Sequence, residues 1–327
     1  MTILQTTADI IDNVLFRAGE PTDGTSDFNT HALNLVVRAY RAIWMGGGEF
    51  VEEMNEPWLW LKKDPPGVIT FVPVRDEGAV DVTNNNATAT LNAAAFLGGM
   101  VNTDLDGWFF KVDTHPDVFR ISAHTTGSQV LTLDAPYTGP DGNDVNYKLM
   151  KLEYSLASDL LRLISPIRVQ SDNEDEVLGI DLTALDRDYP LSLVEGGTPD
   201  RFALVTETKI RVNRFGGASS EELIRGEYDY LQKPDDLTDA SDSTPLVPLE
   251  HRQLIADIAL FYLFTDKADA RAEALAMQAK AGLKSMAADN RARMQQIGRN
   301  FGAIFPRQDS LGLRRRILRT TSGLILG

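Results

Sequence analysis

Pro65-Pro66-Gly67-Val68-Ile69-Thr70-Phe71-Val72-Pro73-Val74 is where the chain changes its period. Two prolines and a glycine stop a helix, and beyond them apolar and polar residues alternate, the spacing of a half-buried strand. Upstream, Ile10, Ile11, Val14, Leu15 and Ala18 recur at three and four, with Thr6 or Thr7 as cap and Gly19 as stop, which predicts an amphipathic helix over 7–18. A second helix follows, capped by Ser26 or Asp27. Its stripe of Leu33, Val36, Val37, Tyr40, Ile43 and Trp44 ends at Gly46-Gly47-Gly48, and the short connection makes the pair antiparallel. Downstream, short alternating runs at 80–83, 87–91, 108–112, 118–121, 130–133 and 147–154 are separated by turn clusters such as Thr83-Asn84-Asn85-Asn86, Asp106-Gly107 and Pro140-Asp141-Gly142-Asn143. About six or seven strands in so short a span predict one small sandwich or barrel.

Beyond it the helical period returns. Ser155 is placed to cap a short helix through Leu160, Leu161, Leu163 and Ile164, ended by Pro166, and 171–176 reads as a solvated loop with irregular chain to Pro199. Alternation over 203–212 predicts a strand pair, followed by Tyr228-Asp229-Tyr230-Leu231 and a loop from Pro234 to Pro248. The next helix, 248–265, is apolar nearly all round in its second half and is expected at the centre of the core. From Asp269, Ala272, Ala276, Ala279, Leu283, Met286, Asn290, Met294 and Ile297 mark one face of a helix of about eight turns. Gly298, Gly302, Pro306, Gly312 and Gly323 then predict an extended arm. The expectation is an α+β fold: a discontinuous, mainly helical domain from 1–66 and 153–305, an inserted β domain at 67–152, and a C-terminal arm at 306–327.

A length of 327 residues suits about two domains. The absence of cysteine removes disulfides, thiol nucleophiles and cysteine-ligated zinc, and His31, His115, His124 and His251 are scattered without metal-ligand spacing, so no metal or cofactor is expected. The first residues carry neither a basic nor an apolar signal region, and the apolar stretch 254–264 is interrupted by Asp257 and too short for a bilayer, so the product is expected to stay in a cytosol without membrane contact. A net charge of −15 opposes wrapping of nucleic acid. That charge is unevenly placed. From Arg291 onward there are eight arginines and one aspartate, a net of +7, which leaves −22 on residues 1–290. A basic tail on an acidic body answers to an acidic protein surface or to nucleic acid.

No phosphate-cradling or dinucleotide glycine motif occurs, and no nucleophile elbow. Gly216-Gly217-Ala218-Ser219-Ser220 reads as a turn and cap. Asp104-Leu105-Asp106-Gly107 and Asp141-Gly142-Asn143-Asp144 lack the spacing of a calcium loop and read as turns. Glu49, Glu52, Glu53 and Glu56 read as a solvated acidic face rather than a hydrolytic pair, and Trp58, Trp60 and Trp108 as core.

Several segments in order resemble the head-to-tail connector, or adaptor, proteins of tailed bacteriophages. They are the N-terminal helix pair ending at Glu49-Phe50, then Asn55-Glu56-Pro57-Trp58-Leu59-Trp60, then residues 154–163, and Gly179-Ile180-Asp181 with Tyr189-Pro190. Gly197-Thr198-Pro199, Tyr228-Asp229-Tyr230-Leu231 with Pro234-Asp235-Asp236-Leu237, and the closing helices with Ala259-Leu260-Phe261-Tyr262-Leu263 and Asn290-Arg291-Ala292-Arg293-Met294 complete the series. The likeness covers about three quarters of the chain, and its specificity lies in the order of pieces that are individually packing and turn patterns. It implies a helical-bundle connector domain and a non-enzymatic virion subunit at the head–tail interface, made in the host cytoplasm. Such subunits form a ring of twelve beneath the portal protein, extend the DNA channel without specific DNA binding, and present a docking surface to tail or neck proteins. The residues of the arm lead to the expectation that it meets the portal: Ile317, Leu318, Leu324, Ile325 and Leu326 are too apolar for a merely solvated tail, and Arg314, Arg315, Arg316 and Arg319 supply bidentate donors. The alternatives are a sugar-binding virion or adhesion protein acting through the β domain with Trp108, and a carboxylate-based hydrolase of cell-wall glycans.

Overall fold

The computed structural model describes residues 4–22, 27–46, 50, 57–92, 105–124, 128–169, 175–216, 223–238 and 243–301, the last seven by backbone alone. The arm residues 306–327, including the arginines and the aliphatic residues expected to meet the portal, lie outside them. Five helices occur among the described residues: α1 (Thr7–Ala18), α2 (Asp27–Trp44), α3 (Leu182–Asp188), α4 (Gln253–Asp266) and α5 (Arg271–Phe301). Against them stand sixteen strands. The first eight are β1 (Gly67–Phe71), β2 (Val80–Val82), β3 (Thr88–Leu91), β4 (Trp108–Val112), β5 (Val118–His124), β6 (Val130–Leu133), β7 (Gly142–Val145) and β8 (Tyr147–Lys151). The second eight are β9 (Glu153–Ser155), β10 (Leu160–Leu163), β11 (Ile167–Val169), β12 (Glu176–Gly179), β13 (Arg201–Thr206), β14 (Lys209–Val212), β15 (Ile224–Tyr228) and β16 (Tyr230–Gln232).

The chain is therefore mostly β, and the α+β expectation of a helical-bundle connector domain carrying a small β insert is overturned. Fourteen of the strands form two seven-stranded sheets, ordered β1-β15-β11-β12-β13-β14-β9 and β7-β2-β3-β6-β5-β4-β8. The error sits at 155–199, read as a short helix, a loop and irregular chain. Where a helix capped by Ser155 was expected, β10 runs instead. Leu160 is buried while Leu161 is 41% exposed, so the leucines do not share one helical face. In the irregular stretch, Ile167 and Val169 point inward around the exposed Arg168, an alternation too short to stand out from the sequence. Such three-residue strands are held by their neighbours: β11 lies between β12 and β15, and Arg168 pairs in register with both Glu176 and Glu227.

Two compact units divide the chain, 63–230 and the combination of 1–62 with 231–327. Within the first, the β2–β8 sheet encloses Val80, Leu91, Trp108, Phe110, Leu131 and Tyr147. The other sheet covers Phe71, Ile167, Val177, Phe202, Ile210 and Val212. A smaller cluster of Phe109, Met150, Leu152 and Phe215, joined by Leu191 and Val194, packs outside the first core. The chain passes from the edge of one sheet to the edge of the other at Leu152, which is fully buried. Gly107 makes that passage possible. Its carbonyl accepts hydrogen bonds from the Leu152 and Glu153 amides at 3.1 Å, its φ is +78°, and any Cβ there would strike the Glu153 carbonyl.

In the second unit α4 packs against α1, α2 and α5, which is why it is apolar all round: Leu254, Ile255, Ile258, Ala259, Leu260 and Leu263 are all buried. One of its two acids, Asp257, is also buried and is met by Arg17 at 2.6 Å; the other, Asp266, is exposed at its C-terminal end. Thr6 and Asp9 close a reciprocal capping box on α1, and Gly19 ends it at φ +78°. Polar contacts fix the directions. Arg252 reaches the Gln5 carbonyl and Lys267 holds Glu20, so α1 runs parallel to α4; His251 and Glu250 meet Asp289 and Arg293, so α5 returns antiparallel.

Candidate docking pocket

The polar residue in the apolar stripe of α5 builds the site. Asn290 is 6% exposed; its Oδ1 accepts from the Leu59 amide at 2.9 Å, and its Nδ2 donates to the Pro57 carbonyl at 3.1 Å. This clamp holds the turn Leu59–Leu61 against α5. Trp58, just before the turn, is 2% exposed and donates its indole N–H to the Ile43 carbonyl at 2.8 Å, so it belongs to the core. Trp60 faces differently. Its ring, with Leu59, Pro248 and Met286, walls a cavity of about 160 Å³, and its indole nitrogen is buried with no hydrogen-bond partner among the described residues.

Charged groups stand around this cavity. His251, on the turn Leu249–His251, lies with Nε2 3.1 Å from Asp289 Oδ2, a close electrostatic contact without good hydrogen-bond alignment. Arg293, one turn further along α5, bonds Glu250. The hydrogen bond from its own backbone holds the Glu250 carboxyl below the usual carboxylate range; burial opposes that shift and Arg293 adds to it. An apolar hole with a charged mouth suits the side chain of a partner: it offers van der Waals contact within and register at the rim.

The residues singled out from the sequence fall elsewhere. Trp108 is 4% exposed inside the β2–β8 core and offers no open ring face to a sugar. Asp106 binds Lys209 at 2.8 Å, and that hydrogen bond holds its carboxyl low against burial. Asp141 accepts from the Asn84 amide and Asp81 from the Asp144 amide, so both serve turns. Asp104, Gly217-Ala218-Ser219-Ser220 and the acids Glu49, Glu52, Glu53 and Glu56 lie outside the described residues. His115 packs on Tyr137 and His124 contacts the Ser128 carbonyl. Among the described residues no three side chains form a metal-binding group, and no helix is long and apolar enough to cross a membrane. His251, Asp289 and Arg293 were not foreseen as a group; the available signal was Asn290, an amide in a helical stripe of alanine, leucine and methionine.

No protein-family model matches the chain, and comparison with curated proteins gives no match.

Proposed function

We propose that this chain is a structural head-to-tail adaptor of a tailed-bacteriophage virion, a non-enzymatic ring subunit that docks on a portal protein and continues its DNA channel towards the tail or neck proteins. The observation that carries the reading is the division of charge: −22 over residues 1–290 against +7 over residues 291–327. An acidic body repels the phosphates of DNA passing through it and lets the duplex slide. A tail with the opposite sign that carries Ile317, Leu318, Leu324, Ile325 and Leu326 matches a protein host, with these aliphatics supplying affinity and Arg314, Arg315, Arg316 and Arg319 setting register. The 31-residue α5 leads the chain into that tail. Twelve subunits and virion localisation follow from the likeness to the adaptor family. Subunits of the same negative sign resist closing a ring alone, so the ring forms on its template.

Negative-stain imaging of the chain mixed with the portal encoded in the same genome tests this. Rings stacked on the portal, with the central channel aligned, are expected. Portals that stay bare at saturating chain concentration would end the adaptor reading, as would tight, salt-sensitive duplex binding by the acidic body.

A further inference from the structure

A ring needs two different surfaces on each subunit, one fitting the other, because a self-complementary patch stops at a dimer. The pocket beside Trp60 is one such surface. The other feature that fits it is Phe16 on α1, 78% exposed and the most exposed large hydrophobic side chain among the described residues. We infer that Phe16 of one copy of this chain inserts into the Trp60 pocket of the next, an inference that rests on the ring reading above and names its contact.

Size is the first argument. A cavity of about 150 Å³ lined by apolar side chains accommodates benzene, and this one is about 160 Å³ between Trp60, Leu59, Met286 and Pro248. A phenyl ring fits it, edge or face to the indole. Position is the second. The pocket lies level with His251, at the start of α4, whereas Phe16 adjoins Arg17, which pairs with Asp257 about 9 Å further along that helix. The two features belong to different helices, and an exposed Phe16 leaves its own pocket open. With Phe16 given to one neighbour and the pocket filled by another, the contact runs head-to-tail and propagates, whereas a reciprocal exchange between two copies would stop at a dimer.

Charge complementarity is the third argument, and it points the same way. At the Phe16 end, Glu20 meets Lys267, and the described stretches 12–20, 27–31 and 266–273 together carry six carboxylates and three cations, His31 apart. At the pocket end, Glu250, Arg252 and the stretch of α5 from Lys284 to Arg293 carry four cations and two carboxylates. Helix α5 as a whole has six basic and two acidic residues in a chain whose net charge is −15. An acidic knob thus meets a basic socket, which orients neighbours even though the whole subunits repel.

Because the chain has no cysteine, engineered pairs report without background. Asp12→Cys, one turn before Phe16 on the same helix, and Asp289→Cys both alter exposed side chains, keep Phe16 itself and leave the core untouched. Under mild oxidation or with a short bismaleimide, at high salt to relieve repulsion, the double variant should yield a ladder of dimer, trimer and larger species. Its yield beyond dimer should exceed tenfold that of either single variant, and an equimolar mixture of the single variants should give their mixed dimer. If the double variant gives no such ladder while an amine-reactive cross-linker does, rings form through another surface and the Phe16 contact is wrong. If neither reagent gives a ladder, with or without portal, the ring reading fails together with it.

Discussion

Replacing Asn290 by alanine removes the clamp between α5 and the turn that carries Trp60. The substitution deletes the acceptor of the Leu59 amide and the donor to the Pro57 carbonyl. Each hydrogen bond contributes about 1 kcal/mol net, and each orphaned backbone group adds up to about 1–3 kcal/mol where it stays dry. Both bonds are only partly buried, so water recovers some of that penalty, and about 2–3 kcal/mol is expected in total. Asn290→Asp keeps the acceptor and loses the donor, so it should cost about half as much. Urea unfolding followed by ellipticity at 222 nm reads the helical unit, whose transition is fitted separately from that of the β unit because two units need not unfold together. A midpoint for Asn290→Ala indistinguishable from the parent would mean that the clamp holds nothing and that the pocket wall is set by other contacts.

Thr6→Ala breaks the capping box and should cost α1 about 1 kcal/mol. Asp9 is held low mainly by its hydrogen bond from the Thr6 amide, so its contribution is present above about pH 4 and is lost as pH falls through the lowered folded value; alanine at position 6 keeps that amide and should leave most of the acid limb of the stability profile in place, whereas Asp9→Asn should flatten it. Arg17→Ala leaves Asp257 buried without its cation and should cost about 3 kcal/mol, near the lower end for broken buried pairs because Arg17 is 30% exposed; a double-mutant cycle with Asp257→Asn checks the coupling. Burial pushes Tyr40 and Tyr147 each up to about 12, so the stability linked to their neutral form is complete below pH ~10 and lost as pH rises through the folded value. Absorbance at 295 nm from these two side chains should therefore rise in the native protein only towards pH 12, or earlier with unfolding, and their ionisation near pH 10 in the native protein would contradict their burial.

What could be read from the residues follows from how many residues carry each signal. The stripes of α1, α2 and α5 span three turns or more, so their period emerges from the sequence, and α4 announces its central place by lacking a polar face. Strands β4, β13 and β14 were likewise legible from alternation. Strands β10 to β12 were not. Three or four residues give at most two inward side chains, and their pairing depends on partners up to about sixty positions away, such as Glu227 beside Arg168. A helix of seven residues, α3, was signalled only by Asp181, whose carboxylate caps the Thr183 amide. The pocket escaped for a related reason: Trp60, His251 and Asp289 come from three separated segments, and only the antiparallel return of α5 along α4 brings them together.

The central claim is that an acidic subunit is tethered to a portal by its basic, aliphatic C-terminal arm, and co-sedimentation on portal particles tests it most directly. The full chain and a version ending at residue 305 are each mixed with the portal encoded in the same genome and spun at two salt concentrations. The full chain should pellet with the portal and the shortened one should stay in the supernatant, with the melting temperature of the body nearly unchanged by the deletion. If the shortened chain occupies portals as fully as the intact one, or if neither pellets with them, the docking role assigned to Arg314, Arg315, Arg316, Ile317, Leu318 and Arg319 is wrong.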